Sequence, residues 1–246
     1  MNINKYSIGN YYLGNSLIHK LNPTYKVISL IINIIIVLLL TRYYHFILFA
    51  IYLICIMLFS KINMGVYLRN IYTMRLFIIF IIVINLIFRV NIVYTIYMVL
   101  KIVYFVLLSG ILTFTTPPME ITYGIERTFR VFNKILPINE IALTITLALR
   151  FIPTITMQAE RIIKAQSLRG IDFNQDIKSK IISLSNIFIP MIYLSLKKAD
   201  ELSDIMEVRL YNYGLSRTNY RLNNWTKRDS LMLILNVLIL VVVWRF

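Results

Sequence analysis

Two arginines have the side chains with the most to do. Arg169 lies in AQSLRGIDF and Arg209 in ADELSDIMEVRLYNYG. Each follows a stretch with the spacing of an amphipathic helix. Arg169 continues a ridge with Arg161 and Ala165, and Arg209 continues one with Leu202 and Ile205, flanked by Met206. A guanidinium is a planar fork that pairs bidentately with a carboxylate or with carbonyls while its stem packs on apolar walls. At the tip of an apolar stripe it suits a groove on another protein. Two alternatives stand beside docking: a lipid-headgroup contact, and an arginine serving the negative end of its own helix. The recurrence of the arrangement on two helices raises docking to an even footing with these alternatives.

No catalytic engine accompanies them. The chain carries no GxxxxGK[ST] phosphate loop, no HExxH, no GxSxG and no Cys/His cluster. Its two histidines, His19 and His45, are expected at a membrane-surface turn and at an outer interface. Its one cysteine, Cys55, lies inside an apolar run and forms no intrachain disulfide. The chain reads as a non-enzyme with no metal site and no cofactor. Asp200, Glu201, Asp204 and Glu207 read as a solvated helix face, with Lys197 and Glu201 at i,i+4 spacing. Arg75, Arg89, Lys101 and Arg150 lie in or near apolar stretches. A charge at the bilayer centre costs about 2.5–3.5 kcal/mol, so snorkelling to an interface is expected of three of them.

The elements that must position these residues are written for lipid. Of 246 residues, 59% are hydrophobic, and the mean hydropathy is +0.72, beyond an ordinary soluble domain. The apolar residues form blocks starting at Val27, Phe46, Leu76, Ile102 and Leu231. Several fall short of the roughly 20 residues that cross a bilayer. Polar and aromatic ends make up the length. The predicted fold is an all-α integral membrane protein with about five transmembrane helices and a cytoplasmic region of long amphipathic coupling helices.

The net charge of +15 would suggest nucleic acid in a soluble protein. Here the positive-inside rule accounts for it, and no nucleic-acid partner is expected. With the N-terminus in the cytoplasm, Lys5, Lys20, Lys26, Lys61, Arg69 and the basic residues between Glu120 and Arg228 all lie inside. The location is thus the cell membrane, multi-pass, with a cytoplasmic N-terminus.

Four regions follow. Residues 1–24 form an N-terminal cytoplasmic arm with turn signals at Gly9-Asn10, Gly14-Asn15 and Asn22-Pro23. Residues 25–117 form a four-span region. Residues 118–228 form a cytoplasmic or membrane-surface coupling region, and 229–246 a final span for which Asp229 is placed as N-cap. The coupling region opens after Thr116-Pro117-Pro118 with a basic amphipathic helix, whose Ile121, Ile125, Phe129 and Phe132 share a face and which Asn133 and Pro137 close. Two long helices follow, over 139–169 and 177–212. Each is apolar in its first half and charged in its second. Pro153 and Pro190 are expected to kink them, and Gly170 to stop the first.

At these residues the chain resembles a known family, the transmembrane T component of energy-coupling factor (ECF) transporters, which includes the cobalt and nickel uptake permease subunit. GNYYLGNSLIHKLNPTYK is similar to the family's N-terminal motif, and LTFTTPPMEITYGIERTF to its Thr-x-Pro region. LALRFIPTITMQAERIIKAQSLRG and MEVRLYNYG resemble its two coupling helices. The resemblance implies that Arg169 and Arg209, with their neighbours Leu168, Gly170, Val208 and Leu210, contact two cytoplasmic ABC-type ATPase subunits. It also implies a small substrate-binding membrane subunit as a third partner, and a vitamin or transition-metal ion as cargo. The chain departs from the pattern where Leu168 precedes the first arginine and where Val208 and Leu210 flank the second, in place of small residues. The alternative, from a different class, is a self-sufficient membrane carrier or channel. It would need polar groups within the spans, and Asn33 and Asn85 are its candidates.

Overall fold

The structure is a computed structural model that describes residues 11–12, 14–130, 137–169, 177–211 and 225–245. Among these, the regular structure is helical. In chain order the helices are α1 (Pro23–Leu39), α2 (Tyr43–Ser60), α3 (Met64–Thr73), α4 (Arg75–Ile87), α5 (Ile92–Thr115), α6 (Pro118–Phe129), α7 (Ile138–Leu168), α8 (Ile177–Val208) and α9 (Lys227–Arg245). Helices close their backbone hydrogen bonds internally, which is what lipid demands. The protein is an all-α membrane protein. It divides into two compact units, Met1–Phe132 with Asn219–Phe246, and Asn133–Thr218.

In the first unit α1 is central, with α5, α6 and α9 packed on it. Its start is written in Asn22-Pro23. The Asn22 Oδ1 accepts the Thr24 N–H at 2.9 Å, and Pro23 fills the first position, where no amide donor is needed. The contact with α6 is close because Gly124 has no side chain. A β-carbon there would lie 2.8 Å from the Pro23 carbonyl oxygen and 3.0 Å from Val27 Cγ2. The core runs through Ile36, Val37, Phe49, Leu53 and Tyr67, all essentially inaccessible.

Two helices of this unit, α2 and α5, are long and apolar enough to cross a membrane, and α3 with α4 pass the same test as a pair bent by 50°. The apolar run from Leu76 is therefore not a span by itself. Its helix, α4, has 13 residues and continues α3 round a bend at Met74. The run from Ile102 begins earlier, at Ile92, because Lys101 is accommodated within α5. Its ammonium donates to the Leu38 carbonyl at 3.0 Å, in the last turn of α1, where a cation is favoured. Lys101 thus serves a helix end. Arg75 lies with its guanidinium 4.4 Å over the Tyr72 ring and donates to the Tyr72 hydroxyl. Cys55 is exposed on α2. His45 is buried edge-on against Tyr44, and neither ring nitrogen has a hydrogen-bond partner among the described residues.

The face that α6 buries is the small one, Thr122 and Gly124, while Ile125 and Phe129 stay exposed. A glycine face permits helix axes to approach where isoleucine would hold them apart. Gly9, Asn10, Phe132, Asn133 and Lys134 lie outside the described residues.

The second unit contains α7 and α8, packed on each other. Both run unbroken through the prolines expected to kink them, Pro153 and Pro190. The apolar first half makes α7 long and apolar enough to cross a membrane too.

Candidate functional site

The two arginines occupy equivalent positions. α7 ends at Leu168 and Arg169 is its C-cap, with φ −82° and ψ 6° and its N–H bonded to the Ala165 and Gln166 carbonyls. α8 ends at Val208, so Arg209 holds the same position there, its N–H 3.1 Å from the Ile205 carbonyl. Both side chains are exposed. Among the described residues neither guanidinium has a hydrogen-bond or ion-pair partner.

The flanking residues stand out as well. Leu168 is 90% exposed, Val208 82% and Leu210 88%. On the approach to the tips, Leu202 and Met206 are half-buried, whereas Arg161, Ala165 and Ile205 are exposed. Gly170 lies outside the described residues. The helices are tied near the first tip, where the Gln166 amide donates to the Asn186 carbonyl at 3.2 Å.

The N-terminal motif builds a second constellation, in the first unit. Lys26 is 6% exposed, and its ammonium donates to Thr116 Oγ1 at 2.9 Å and to the carbonyls of Thr115 and His19 at 3.1 and 3.3 Å. The His19 ring spans two partners. Its Nε2 lies 3.0 Å from the Tyr12 carbonyl, which only accepts, so Nε2 carries the proton and Nδ1 accepts the Ser16 hydroxyl at 2.7 Å. Burial holds this imidazole below its ordinary pKa; the Tyr12 carbonyl pulls it up and the Lys26 charge pushes it down again.

Asp229, 1% exposed, joins the chain's two ends. Its Oδ1 accepts the Asn22 N–H at 3.0 Å, and its Oδ2 accepts the Thr226 N–H at 2.8 Å and hydroxyl at 2.6 Å. Asp229 is therefore not the N-cap of α9. The helix begins at Lys227, Thr226 takes the cap position, and Asp229 reaches back from the first turn to satisfy the cap's own N–H, as in a capping box.

Asn33 and Asn85, the polar groups a carrier would need, are engaged through their NH2 groups, while the buried Asn33 Oδ1 has no hydrogen-bond partner among the described residues. The Asn33 amide donates to Asn236 Oδ1 and to the Ser29 carbonyl, each at 2.8 Å. Asn236 donates in turn to the Tyr25 hydroxyl at 2.9 Å and accepts from Tyr52. These residues cross-link α1, α2 and α9, as buried amides do between membrane helices. Asn85 Nδ2 lies 3.5 Å from Met98 Sδ. The sequence reading missed Asn236, a lone amide in the apolar run from Leu231. An unexplained polar residue in such a run was the available signal.

Residues 14–220 match the model of a protein family described as cobalt transport protein, CbiQ. The matched stretch contains both arginine tips and the Ser16–Lys26 constellation. The chain belongs to this family. The similarity reaches over nearly the whole molecule in individual relatives. It is 34% identical to the energy-coupling factor transporter transmembrane protein EcfT of Acidaminococcus fermentans, over 97% of each chain. It is 32% identical to EcfT of Lactococcus lactis subsp. cremoris, over 96% of this chain and 97% of that one, and 30% identical to EcfT of Bacillus subtilis, over 92% of each. This CbiQ-family chain is the transmembrane component of an ECF transporter, and its location is the membrane.

Proposed function

We propose that the chain is the non-catalytic scaffold of an ECF-type ABC importer. It couples ATP hydrolysis by two cytoplasmic ABC-type ATPase subunits to a small substrate-binding membrane subunit that takes up a vitamin or a transition-metal ion. It spans the membrane several times with its N-terminus in the cytoplasm, and the region 118–228 faces the ATPases. The observation that carries this reading is the equivalence of Arg169 and Arg209. Both are exposed C-cap residues on two packed helices of one compact unit. Arg169 lies within a turn of the Gln166–Asn186 contact. From Asn186 to Arg209, at a rise of 1.5 Å per residue, α8 extends about 35 Å. Tips that far apart suit two ATPase subunits rather than one pocket. The autonomous-carrier reading is weakened at Asn33 only as far as its NH2 group, which is spent on Asn236 and Ser29.

The test is a mild-detergent purification of the tagged chain from its native membrane, with mass spectrometry, beside the Arg169→Ala/Arg209→Ala variant. Truncating one partner of a buried charged contact costs about 2–5 kcal/mol. The double variant is expected to reach the membrane in normal amount, recover no ATPase and support no uptake. Normal uptake by that variant refutes the proposal.

A further inference from the structure

Among the described residues of these tips, Leu210 is the one whose backbone is held in a conformation its side chain disfavours. Three hydrogen bonds close α8: Arg209 N–H to Ile205, Leu210 N–H to Glu207 at 2.9 Å and Tyr211 N–H to Met206 at 2.9 Å. The last two are the paired bonds of a Schellman motif, which puts Leu210 at the position that turns left-handed. Its φ is +56°. Glycine takes that conformation freely, whereas a β-carbon crowds the carbonyl.

Two other described non-glycine residues have positive φ, Lys61 and Arg89. Both carry charged side chains that water or headgroups serve. Leu210 alone places an apolar side chain there, and it is 88% exposed, beside Val208 at 82%. The leucine is strained in the backbone and gains almost no burial from its own chain. Folding gives it no reason to be there. Residues held in strain cluster where function over-determines them.

We infer that Leu210, with Val208, is a specificity-determining element of the α8 tip. It enters an apolar subsite beside the acidic or carbonyl group that receives Arg209 on a cytoplasmic ABC-type ATPase. The Schellman closure fixes the direction of the leucine as well as the exit of the chain, so the side chain is presented already oriented and little freedom is lost on docking. An ATPase whose groove fits only a glycine-sized neighbour beside the arginine is a poor partner. The inference rests on the docking role proposed for Arg209. It adds that the arginine alone does not select the partner.

The experiment uses the full-length chain in detergent. The ATPase subunits that co-purify with the wild type from its native membrane are identified, purified and titrated against wild type, L210G, L210A, L210M and R209A, with a thermal unfolding midpoint for each. L210G relieves the backbone and deletes the side chain. It is expected to unfold no lower than wild type and to bind the ATPase about tenfold more weakly, which is about 1.4 kcal/mol. L210A is expected to bind as weakly as L210G, and L210M to bind like wild type. A role confined to the fold would move stability and binding in the same direction. If R209A loses the ATPase and L210G binds as wild type, the inference on Leu210 is overturned and the docking role of Arg209 stands. If L210G binds weakly only because its midpoint has fallen, the inference is likewise overturned. If R209A binds as wild type, the docking reading fails, and this inference with it.

Discussion

Asp229→Ala is the substitution whose cost can be worked out most fully. The carboxylate is buried and accepts two backbone N–H groups, from Asn22 at 3.0 Å and Thr226 at 2.8 Å, and the Thr226 hydroxyl at 2.6 Å. Alanine removes all three acceptances. The hydroxyl can turn to another partner, but the two backbone donors cannot. A hydrogen bond to a charged group contributes about 1.5–3 kcal/mol, so the pair sums to about 4 kcal/mol. For a chain of this size each kcal/mol moves the unfolding midpoint by about 2–4 °C, which gives a fall of about 8–16 °C. Asp229→Asn keeps one carbonyl oxygen. Aimed at Asn22 it sets its own NH2 against the Thr226 N–H, so one donor is lost and the fall is expected to be about half as large. The assay is thermal unfolding of the purified chain in detergent, followed by tryptophan fluorescence. Trp225 is a local reporter, since its Nε1 donates to Ser230 Oγ at 2.7 Å beside the carboxylate. An Asp229→Ala midpoint within about 2 °C of wild type would refute the reasoning. So would an Asp229→Asn variant as damaged as the alanine one.

Two further outcomes come from the same unit. Gly124→Val puts a branched side chain where even a β-carbon lies 2.8 Å from the Pro23 carbonyl oxygen; overpacking of this kind costs about 1–3 kcal/mol, and a lowered thermal midpoint with weaker protection of the α6 amides in hydrogen exchange is expected. For His19 the folded pKa is depressed below the ordinary value of about 6.5, chiefly by burial. The stability its neutral ring contributes is present above about pH 6.5 and lost as pH falls through the folded value. Thermal midpoints measured between pH 7.5 and 5 should therefore fall for wild type, and His19→Gln should remove that part of the slope; equal slopes for the two proteins would refute the depressed pKa of His19.

The arginine tips were legible because they depend on local pattern. The ridge of Arg161, Ala165 and Arg169 lies along α7, and the end of that helix falls at Leu168, one residue from where the spacing ends it. Apolar runs likewise located α1, α2 and α9. What periodicity could not supply was anything between elements. Nothing in the run from Leu76 says that it continues another helix through a 50° bend. Lys101 reads as a snorkelling charge, and only the fold shows the Leu38 carbonyl in the last turn of α1 against it. Lys26 reads as one more cytoplasmic positive charge, and only the fold shows its ammonium among the acceptors of Thr115, Thr116 and His19. The positive φ of Leu210 was hidden for a different reason. Leucine rarely takes that conformation, so a propensity argument points away from it.

The treatment of charge separates what holds the molecule from what it does. Lys26 and Asp229 are buried, and each is met by three acceptances or donations from its own chain. A buried charge left unpaired would cost several kcal/mol, so these two are structural, and changing them should lower the unfolding midpoint. Arg169 and Arg209 are exposed and unpaired among the described residues, so water already serves them and replacing them costs the fold little. Under the docking role proposed for them, their energetic value appears only when a partner removes that water. The same logic extends to Leu168, Val208 and Leu210, apolar side chains that give the folded chain almost no burial. Variants of the first group should lose the thermal midpoint before they lose the ATPase, and variants of the second should lose the ATPase with the midpoint intact.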